Sequence, residues 1–444
     1  MRAASVSALL EELARVRVGR ASELASALGI SKPTLVRLVA GVGNQVCRMG
    51  RGRSIQYART RSADGIGRRV AMARVSDTGE ITPYATLHLL WGGEHWMERR
   101  DGTGAHFVGL PPALADMAPQ GYVGRGFPGR FPELGLPPRI LDWSDDQRLI
   151  ALARRGEDCW GDLIVGDESL ARFVEWTVLE ASRDDYPALA QRSALGEAGS
   201  SAGGEHPKFG AFVGGRHVLV KFASADDSPV ARRWRDLLWC EHTALETVRR
   251  AGLPASRTQI VDIGGARFLE VERFDRIGAR GRRAVITLGS LADEYLGERD
   301  TWTAAAARLS PKPFSLPVAD AAQVRWLDAF GQLTGNTDRH FGNLAFFVEG
   351  SGALRLAPNY DMLPMILAPT VQVVVERPFR VEPPITANLA EWADAARWAQ
   401  VYWREVEASA DLDPVVRDYA ARALESVGAL ASRVSPGASS PDGA

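Results

Sequence analysis

Apolar side chains near the start of the chain recur at the three- and four-residue spacing of amphipathic helices. The pattern covers residues 4–16 and 21–28, and a glycine then stops it. Ser31 follows in the position of an N-cap, with Pro33 in the first turn of a third helix. This order of helix, turn and helix predicts a helix-turn-helix in which residues 31–40 form the recognition helix.

A β-hairpin is expected directly after the third helix. Residues 45–57 contain two short strand-like runs around an Arg-Gly-Arg tip. Such a basic hairpin resembles the wing of a winged-helix domain. The predicted contacts with double-stranded DNA come from the recognition helix and this tip, and they are Ser31, Lys32, Thr34, Arg37, Arg51 and Arg53.

The distribution of charge favours a polyanion as the partner of this first segment. Residues 1–72 carry thirteen Lys or Arg against four Asp or Glu, which gives +9, whereas the formal net charge of the whole chain is −1. A small protein-interaction domain with a solvated basic hairpin is the alternative interpretation.

The next region is assigned from composition and turn signals. Residues between 60 and 72 are rich in Arg and Gly without apolar periodicity, so residues 61–74 are predicted to be a linker. Strand-like runs on either side of Gly92 and Gly93 predict a hairpin within residues 75–180. That region contains no reactive constellation, which indicates a structural or interaction role.

Apolar periodicity also predicts the elements of the second half. Helices are expected over residues 318–333, about 387–407 and 414–433, and a hairpin over 344–356. The final residues, 435–444, are rich in Ser, Pro and Gly and are predicted to be disordered.

Length and composition fit an ordinary soluble protein. With 444 residues, of which 45% are hydrophobic, the chain can bury sizeable cores and form two to four domains. Its longest uncharged run, residues 362–375, contains two prolines and is too short to span a bilayer, so we expect a cytoplasmic location and no membrane partner. The three cysteines lie far apart, which argues against a disulfide framework or a zinc site.

Lysine is scarce, and two lysines point to phosphate chemistry. Only four of the 53 basic residues are Lys, namely Lys32, Lys208, Lys221 and Lys312. Lys221 ends a predicted strand and follows a Gly- and Ser-rich stretch over 182–206, which is either a phosphate-binding loop or a flexible linker. Glu241, on a predicted helix over 230–251, either pairs with Lys221 or lies on a solvated face.

Residues 335–343 and 359–361 carry the most informative side chains. Asp338 is followed five residues later by Asn343, and Asp361 comes eighteen residues after that. Phosphoryl transfer needs a carboxylate that accepts a proton from a hydroxyl, plus a carboxamide and a carboxylate that hold Mg²⁺ on the nucleotide phosphates. Asp338 is therefore predicted to be the base, with Asn343 and Asp361 as Mg²⁺ ligands. Otherwise the loop caps a helix and Asp361 is a turn residue.

These residues resemble a known family. The run Asn-Thr-Asp-Arg-His-Phe-Gly-Asn at 336–343, followed by Tyr-Asp at 360–361, resembles the catalytic loop and metal-binding segment of HipA-type serine/threonine kinases, the toxin components of bacterial toxin–antitoxin pairs. The resemblance covers residues 75–430, and the fused first domain is similar to that of the YjjJ-like members. It implies an autophosphorylating kinase that uses ATP and Mg²⁺ on a protein substrate, with an antitoxin as a candidate partner.

The same resemblance assigns nucleotide contacts. It implies that Lys221 binds ATP, that the Glu-Arg-Phe run at 272–274 lies beside the adenine, and that Ser201 is autophosphorylated. His340, next to the base, is expected to hold the loop backbone. Glu205 and His206 stand where the family usually has a small residue and Gln. The implied nucleotide-binding residues are Ser201, Ala202, Gly203, Gly204, His206, Lys208, Lys221, Glu272, Arg273, Phe274, His340 and Asp361.

The predicted fold is α+β, with an N-terminal winged helix-turn-helix domain before a two-lobed, HipA-like and protein-kinase-like fold whose C-terminal lobe is mostly helical. The predicted parts are a DNA-binding domain (1–60), a linker (61–74), a HipA-like N-terminal subdomain (75–180), a nucleotide-binding part (181–310), a catalytic lobe (311–434) and a tail (435–444). The predicted function is protein serine/threonine phosphorylation together with DNA binding. The alternatives are a DNA-binding regulator whose kinase-like half senses a ligand, and a small-molecule kinase.

Overall fold

Two compact units make up the computed structural model of this chain. The first consists of Met1–Gln120 and Arg130–Thr177, and the second of Gly121–Gly129 and Val178–Ala444. The structure describes residues 5–195, 206–312, 314–350, 352–370 and 373–434. Within those ranges, no helix combines the length and the apolar character that crossing a membrane requires.

The first unit begins with three helices and a three-stranded antiparallel sheet. The elements are α1 (Val6–Val16), β1 (Val18–Arg20), α2 (Ala21–Ala27), α3 (Lys32–Val42), β2 (Val46–Met49) and β3 (Gln56–Arg59), and the strand order β1-β3-β2 leaves β2 at an edge. The Ser31 hydroxyl accepts a hydrogen bond from the Thr34 N–H at 3.3 Å and so starts α3. Leu9, Leu13 and Leu35 form the fully buried centre. The helices and the hairpin lie where the apolar pattern predicts them.

A five-stranded antiparallel sheet forms the rest of the first unit. Its strands are β4 (Arg69–Val75), β5 (Ile81–Leu89), β6 (Glu94–Arg99), β7 (Gly104–Val108) and β8 (Leu163–Val165), in the order β7-β6-β5-β4-β8. The helices of this region are α4 (Pro112–Met117), α7 (Asp145–Arg155) and α8 (Asp167–Glu175). Between α4 and α7 the chain also forms α5 (Gly121–Arg125) and α6 (Phe127–Arg130), which belong to the second unit except for the last residue of α6. Leu87 of the sheet packs with Leu114 and Leu149 of the helices in one buried cluster. The hairpin expected around two glycines is confirmed as the β5–β6 pair.

The linker predicted over residues 61–74 is wrong for its second half. Strand β4 pairs with both β5 and β8 and therefore lies inside the sheet. A β-bulge between Met72 and Ala73 interrupts the alternation of buried and exposed side chains that would have revealed the strand. The residue directly before this segment is also fixed, because Thr60 forms an antiparallel β-bridge with Leu90, which follows β5.

A small apolar cluster joins the two sheets of the first unit. Cys47, Met49 and Ala58 from the β2–β3 hairpin pack against Leu90 and Trp96, and all five are buried. A fragment that ended before β5 and β6 would expose this cluster to water. The basic N-terminal segment is therefore best studied within the whole chain.

A four-stranded antiparallel sheet with helices on both faces opens the second unit. The elements are α9 (Tyr186–Leu195), β9 (Lys208–Val213), β10 (Arg216–Ala223), α10 (Pro229–Arg250), β11 (Thr258–Ile263) and β12 (Ala266–Glu272), in the strand order β11-β12-β10-β9. Tyr186 of α9 packs with Val220 in the cluster on one face. Leu238 of α10 packs with Leu269 on the other face. The sheet is thus buried on both sides, which fixes the directions of the side chains on β10.

The remainder of the second unit is mostly helical. Its elements are β13 (Arg276–Ile277), β14 (Gly281–Arg282), β15 (Val285–Thr287), α11 (Leu288–Leu291), α12 (Trp302–Leu309), α13 (Val318–Leu333), β16 (Ala345–Val348), β17 (Leu354–Leu356), α14 (Leu389–Ala408) and α15 (Pro414–Val434). Trp302, Trp392 and Trp403 are almost fully buried in its core. The three predicted helices and the predicted hairpin are confirmed as α13, α14, α15 and β16–β17. The predicted tail, 435–444, lies outside the described residues.

One carboxylate in the second unit is buried on α10 without a counterion bond. Asp236 is 5% exposed, and its Oδ1 accepts a hydrogen bond from the Asp413 N–H at 3.4 Å. Its Oδ2 has no hydrogen-bond partner in the described part of the chain. Burial raises the pKa of Asp236 to about 6, against a weaker opposing effect of the Asp413 N–H and Arg233.

We expect Asp236→Asn to stabilise the protein at pH 8, by up to about 3 kcal/mol for a pKa raised by two units. A carboxyl whose pKa is raised in the folded state favours folding while it is protonated, and this contribution is lost as the pH rises towards 6. The amide mimics the protonated form, so its advantage should shrink steadily at pH values below 6. Urea unfolding at pH 8 and pH 5 measures this. Asp418→Asn, at an exposed position, is the control. If Asp236→Asn raised the free energy of unfolding equally at both pH values, the raised pKa of Asp236 would be contradicted.

Candidate active site

A buried ion pair between a strand and a helix lies at the centre of the second unit. Lys221 is on β10, which pairs with β9 on one side and β12 on the other. Its Nζ donates hydrogen bonds to both oxygens of Glu241, on α10, at 2.6 and 2.7 Å. Lys221 is 4% exposed and Glu241 is fully buried. Of the two interpretations of Glu241, pairing with Lys221 is correct, since α10 packs this face against the sheet.

Asp361 is the second carboxylate on the same ammonium. Its Oδ1 accepts a hydrogen bond from Lys221 Nζ. The backbone of Asp361 has φ of +52°, a left-handed conformation that few residues other than Gly adopt, although Asn, Asp and His do so more often than the rest. The side-chain amide of Asn336 donates to the Asp361 carbonyl at 3.3 Å and helps to hold that conformation.

The three charges shift one another's pKa values. Burial disfavours the Lys221 ammonium, yet Asp361 and Glu241 outweigh it and raise the pKa of Lys221. Burial would also raise the pKa of Asp361, but Lys221 and then Lys208 hold that pKa well below its usual value. Burial raises the pKa of Glu241 against the opposing effect of Lys221. Asp361 is therefore ionised at any physiological pH, as a metal-binding carboxylate must be.

The loop after α13 presents Asp338 and Asn343. Asn336, only 1% exposed, accepts a hydrogen bond from the Asp338 N–H at 3.0 Å through its Oδ1. Because its Nδ2 donates to Asp361, this one side chain joins the two acidic segments. Sequence reasoning had given Asn336 no role, and its position two residues before Asp338 was the only signal.

Asn343 closes the same loop. Its Nδ2 donates to the Asp338 carbonyl at 2.9 Å, which leaves Oδ1 without a hydrogen bond from any described residue. A carboxamide oxygen in that position suits a Mg²⁺ ligand. His340 Nδ1 accepts a hydrogen bond from the Gly342 N–H at 3.0 Å, so His340 holds the loop backbone, as expected. The Tyr360 hydroxyl donates to the Gly342 carbonyl at 2.5 Å.

A second anchor, missed by the sequence analysis, ties the loop to α12 and α13. Arg339 donates to Asp328 at 3.2 Å and to the Asn336 carbonyl. Asp328 also accepts hydrogen bonds from the Thr303 N–H and hydroxyl, at 3.1 and 2.7 Å. The basic residue inside the motif therefore positions the loop and is not free to meet a ligand.

The predicted adenine-side residues line one cavity of about 330 Å³. Glu272, Arg273 and Phe274 all border it. Arg273 is held there by two hydrogen bonds to the buried carboxylate of Asp275, at 3.0 and 3.1 Å. The ring of Phe274 lies 5.6 Å from that of Tyr360, which connects this cavity to the segment that carries Asp361. A separate cavity of about 530 Å³ borders Asp338 and His340 on the loop after α13.

The predicted phosphate loop is described only at its end. Ser201, Ala202, Gly203 and Gly204 lie outside the described residues. His206 packs its ring 4.7 Å from that of Trp234, and neither ring nitrogen has a hydrogen-bond partner among the described residues. Burial, then Lys221 and Lys208, lower the pKa of His206 well below its usual value, so the imidazole is neutral. Lys208 lies directly opposite Lys221 in the β9–β10 register.

The donor set fits ATP and Mg²⁺. The described residues contain no cluster of three or more His, Cys, Asp or Glu that could cage a metal. Mg²⁺ on a nucleotide does not need such a cage, because phosphate oxygens and water complete its shell around one or two protein oxygens. Asp361 and Asn343 are the residues that would supply those oxygens, and Lys221 and Lys208 are the ones whose charge would face the phosphates.

The predicted DNA contacts occupy two different environments. Ser31, Lys32 and Arg37 are exposed on α3, where Arg37 also donates to the Thr34 hydroxyl at 3.4 Å. The tip residue Arg53 is likewise exposed. Its neighbour Arg51 lies against the β6–β7 turn, so close that a Cβ on Gly102 would be 2.7 Å from Arg51 Nε. Arg51 is nevertheless exposed, and Thr34 is the one predicted contact that is only partly exposed.

The fold and the site together define a kinase-like protein. The profile of the HipA-like C-terminal domain matches residues 200–429, and that of the YjjJ-like toxin middle domain matches residues 66–174. Toxin YjjJ of Escherichia coli (strain K12) is 33% identical over 428 residues, which cover 93% of this chain and 96% of that protein. The chain therefore belongs to the YjjJ-like toxins of the HipA-type family.

Solved structures agree at the level of the fold. The Shewanella oneidensis MR-1 toxin–antitoxin complex of HipA, HipB and operator DNA matches with a TM-score of 0.50 and 15% identity, over 82% of this chain and 97% of that one. The Helicobacter pylori proinflammatory kinase CtkA matches 53% of this chain and 92% of its own, at 13% identity and a TM-score of 0.39. The first comparison supports a HipA-like mixed α/β fold, and the second is too weak to add to it.

We expect Lys221→Met to destabilise the chain by roughly 3–5 kcal/mol, because it leaves the Glu241 carboxylate buried without its cation. Replacing both partners, with Lys221→Met and Glu241→Leu, should restore part of that loss, since only Asp361, whose side chain is 28% exposed, then lacks its cation. Urea unfolding of the two single variants and the double variant measures the coupling. Strictly additive effects would mean that the two side chains do not depend on each other.

Proposed function

We propose that this protein is an ATP- and Mg²⁺-dependent serine/threonine protein kinase of the HipA toxin type. The observation that carries the proposal is the convergence of Asp338 and Asn343, on one loop, with Asp361 on the buried Lys221–Glu241 pair. Kinase-type phosphoryl transfer uses a base, two metal-binding oxygens and a strand lysine fixed by a helix glutamate. Each part is present here in a residue of the required type.

Each side chain has a distinct role in this proposal. Asp338 accepts the proton of the substrate hydroxyl, and its carbonyl and N–H are held by Asn343 and Asn336. Asp361 and Asn343 hold Mg²⁺, which when bound neutralises charge on the transferring phosphoryl group. Lys221, kept in place by Glu241, contacts the phosphates, and Glu272, Arg273 and Phe274 border the adenine.

Loop autophosphorylation at Ser201 is part of the same proposal. Phosphorylation would add about −1.5 to −2 charge to a segment that must approach a polyanionic nucleotide, so it would inactivate the kinase. The motivation is sequence resemblance, because Ser201 lies seven residues before Lys208. Mass spectrometry of protein incubated with ATP and Mg²⁺ tests it, and an unmodified Ser201 in a preparation that phosphorylates other proteins would contradict it.

The proposed macromolecular partners are duplex DNA and an antitoxin. The HipA neighbour was solved with HipB and operator DNA, which makes the same classes of partner candidates here. Three helices and a hairpin, in the order of a winged helix-turn-helix, begin the chain, and residues 1–72 carry +9. We propose that Lys32 and Arg37, exposed on α3, contact DNA.

Two alternative functions differ from this one in whether phosphate is transferred and in the molecule that accepts it. A DNA-binding regulator with a ligand-sensing second unit would bind nucleotide without transferring phosphate. A small-molecule kinase would transfer it to a metabolite, and the cavity beside Asp338 is open to either acceptor. The complete set of Asp338, Asn343, Asp361 and Lys221 favours a catalyst, and phosphotransfer from labelled ATP to a cell extract decides between protein and metabolite acceptors.

We expect Asp338→Ala to lower phosphotransfer roughly 100- to 10,000-fold, the usual effect of losing a positioned base. Asp361→Asn should weaken Mg²⁺-dependent ATP binding as well as turnover, because it removes a metal ligand. Lys221→Arg should not restore activity, since a planar guanidinium does not replace a compact ammonium at a phosphate. Asp418→Ala, on the surface of α15, is the matched control. Full activity in Asp338→Ala would reject the kinase assignment.

We expect the full-length chain to bind duplex DNA with an affinity that falls steeply as salt rises. Replacing Lys32 and Arg37 with Ala should weaken binding and flatten the slope of log affinity against log salt by about one for each lost phosphate contact. Fluorescence anisotropy at several salt concentrations measures this. Arg139→Ala, whose side chain is 73% exposed elsewhere in the first unit, should leave binding unchanged. If replacing Lys32 and Arg37 leaves the DNA affinity unchanged, the alternative interpretation of this segment as a protein-interaction domain is favoured.

A further inference from the structure

A cavity of about 500 Å³ in the first unit is lined by three arginines. It lies beside β2, the edge strand of the three-stranded sheet, and is bordered on its other side by residues next to and within β4 and β5. The residues that matter for its chemistry are Arg48, Thr60, Arg68, Arg69 and His88. Its volume is within the range of small-molecule sites, which are about 300–1,000 Å³.

The charges in this cavity are not balanced by its lining. No Asp or Glu is among the residues that line it. The guanidinium groups of Arg48 and Arg69, both exposed residues, have no ion pair or hydrogen bond with any described residue. Arg61 and Arg74 of the same unit differ, because they pair with carboxylates at 2.5 and 2.8 Å. Guanidinium groups that share one concave surface repel one another, and an anion between them removes that repulsion.

The third arginine is held in place by the backbone. Arg68 donates to the carbonyl and the hydroxyl of Thr60, at 3.1 and 3.2 Å. Thr60 is itself buried and donates to the Asn44 carbonyl at 2.6 Å. His88 also lines the cavity, and its Nε2 is 2.8 Å from Glu98 Oε2. The Arg68 guanidinium is therefore held in position before any ligand binds, and the Glu98 carboxylate already has His88 as its partner.

The edge of β2 adds backbone donors to the same cavity. Three consecutive residues line the cavity, namely Val46, Cys47 and Arg48. Successive side chains of a strand point to opposite faces, so consecutive lining residues indicate that the backbone edge of β2 forms this wall. β2 pairs with β3 on one side only, so alternate N–H groups point away from that partner. Backbone N–H groups and arginines are the common ligands of phosphate oxygens.

We propose that this cavity binds the phosphates of a small ligand that carries a pyrophosphate group, such as a nucleoside diphosphate or a related metabolite. Three guanidinium groups match the three to four negative charges of a pyrophosphate better than a single phosphate. The site belongs to the first unit and is independent of the proposed kinase chemistry. Because β2 follows α3 after three residues, a ligand there would lie next to the helix proposed to contact DNA.

Calorimetric titration of the full-length protein with sodium pyrophosphate, in low salt without Mg²⁺, tests the proposal. Arg48→Ala combined with Arg69→Ala should weaken one binding event at least tenfold, and Arg69→Glu, which puts a carboxylate into the cavity, should abolish it. Arg139→Ala is the control and should bind as the unaltered protein does. Any pyrophosphate bound in the second unit is common to all four proteins and cancels in the comparison.

Two results would overturn the proposal. The first is equal pyrophosphate affinity in all four proteins. The second comes from a parallel titration with a 20-base-pair duplex. If the Arg48 and Arg69 variants lose DNA affinity while pyrophosphate binding does not change, the arginines serve the DNA backbone. Thermal unfolding of each variant confirms that the exposed substitutions leave the fold intact.

Discussion

The burial of one ammonium between two carboxylates is the constraint on which the proposed catalytic half depends. Lys221 comes from a sheet, Glu241 from the helix that covers it, and Asp361 from the segment after β17. Glu241 would cost several kcal/mol if it were buried without a cation, and Asp361, whose side chain is 28% exposed, adds a second bond to the same ammonium, so the three segments hold one another in place. The same arrangement keeps the proposed metal-binding carboxylate ionised beside the lysine proposed to bind phosphates.

The candidate site could be predicted from residue types, their spacing and the family resemblance taken together, whereas the residues that support it could not. The positions of Asp338, Asn343 and Asp361 follow from chemistry that needs those groups at short intervals. The role of Glu241 stayed open, because a helix pattern does not say which face packs on which sheet. Asn336 was missed, since its two bonds join residues two and twenty-five positions away, and only the folded chain shows the second.

The first unit shows why composition misplaces a boundary. Residues 61–74 are rich in Arg and Gly, yet residues 69–74 belong to β4, an interior strand of a five-stranded sheet, and a bulge after Met72 conceals the strand periodicity. The β2–β3 hairpin, which precedes these residues, packs against that sheet in a buried cluster that contains Cys47, Met49 and Trp96. Local propensity gave the right helices and hairpin, while contacts between distant strands determined where the structural unit ends.

The left-handed backbone of Asp361 has a consequence for how such genes change over time. An L-residue in that conformation costs of order 1–3 kcal/mol, and Asn tolerates it better than Asp does. A single change to Asn would therefore ease the backbone while removing a carboxylate. Because the same change would also remove the ion pair to Lys221, the relief of backbone strain is offset, and an acidic residue should persist at this position although a less strained residue is one step away.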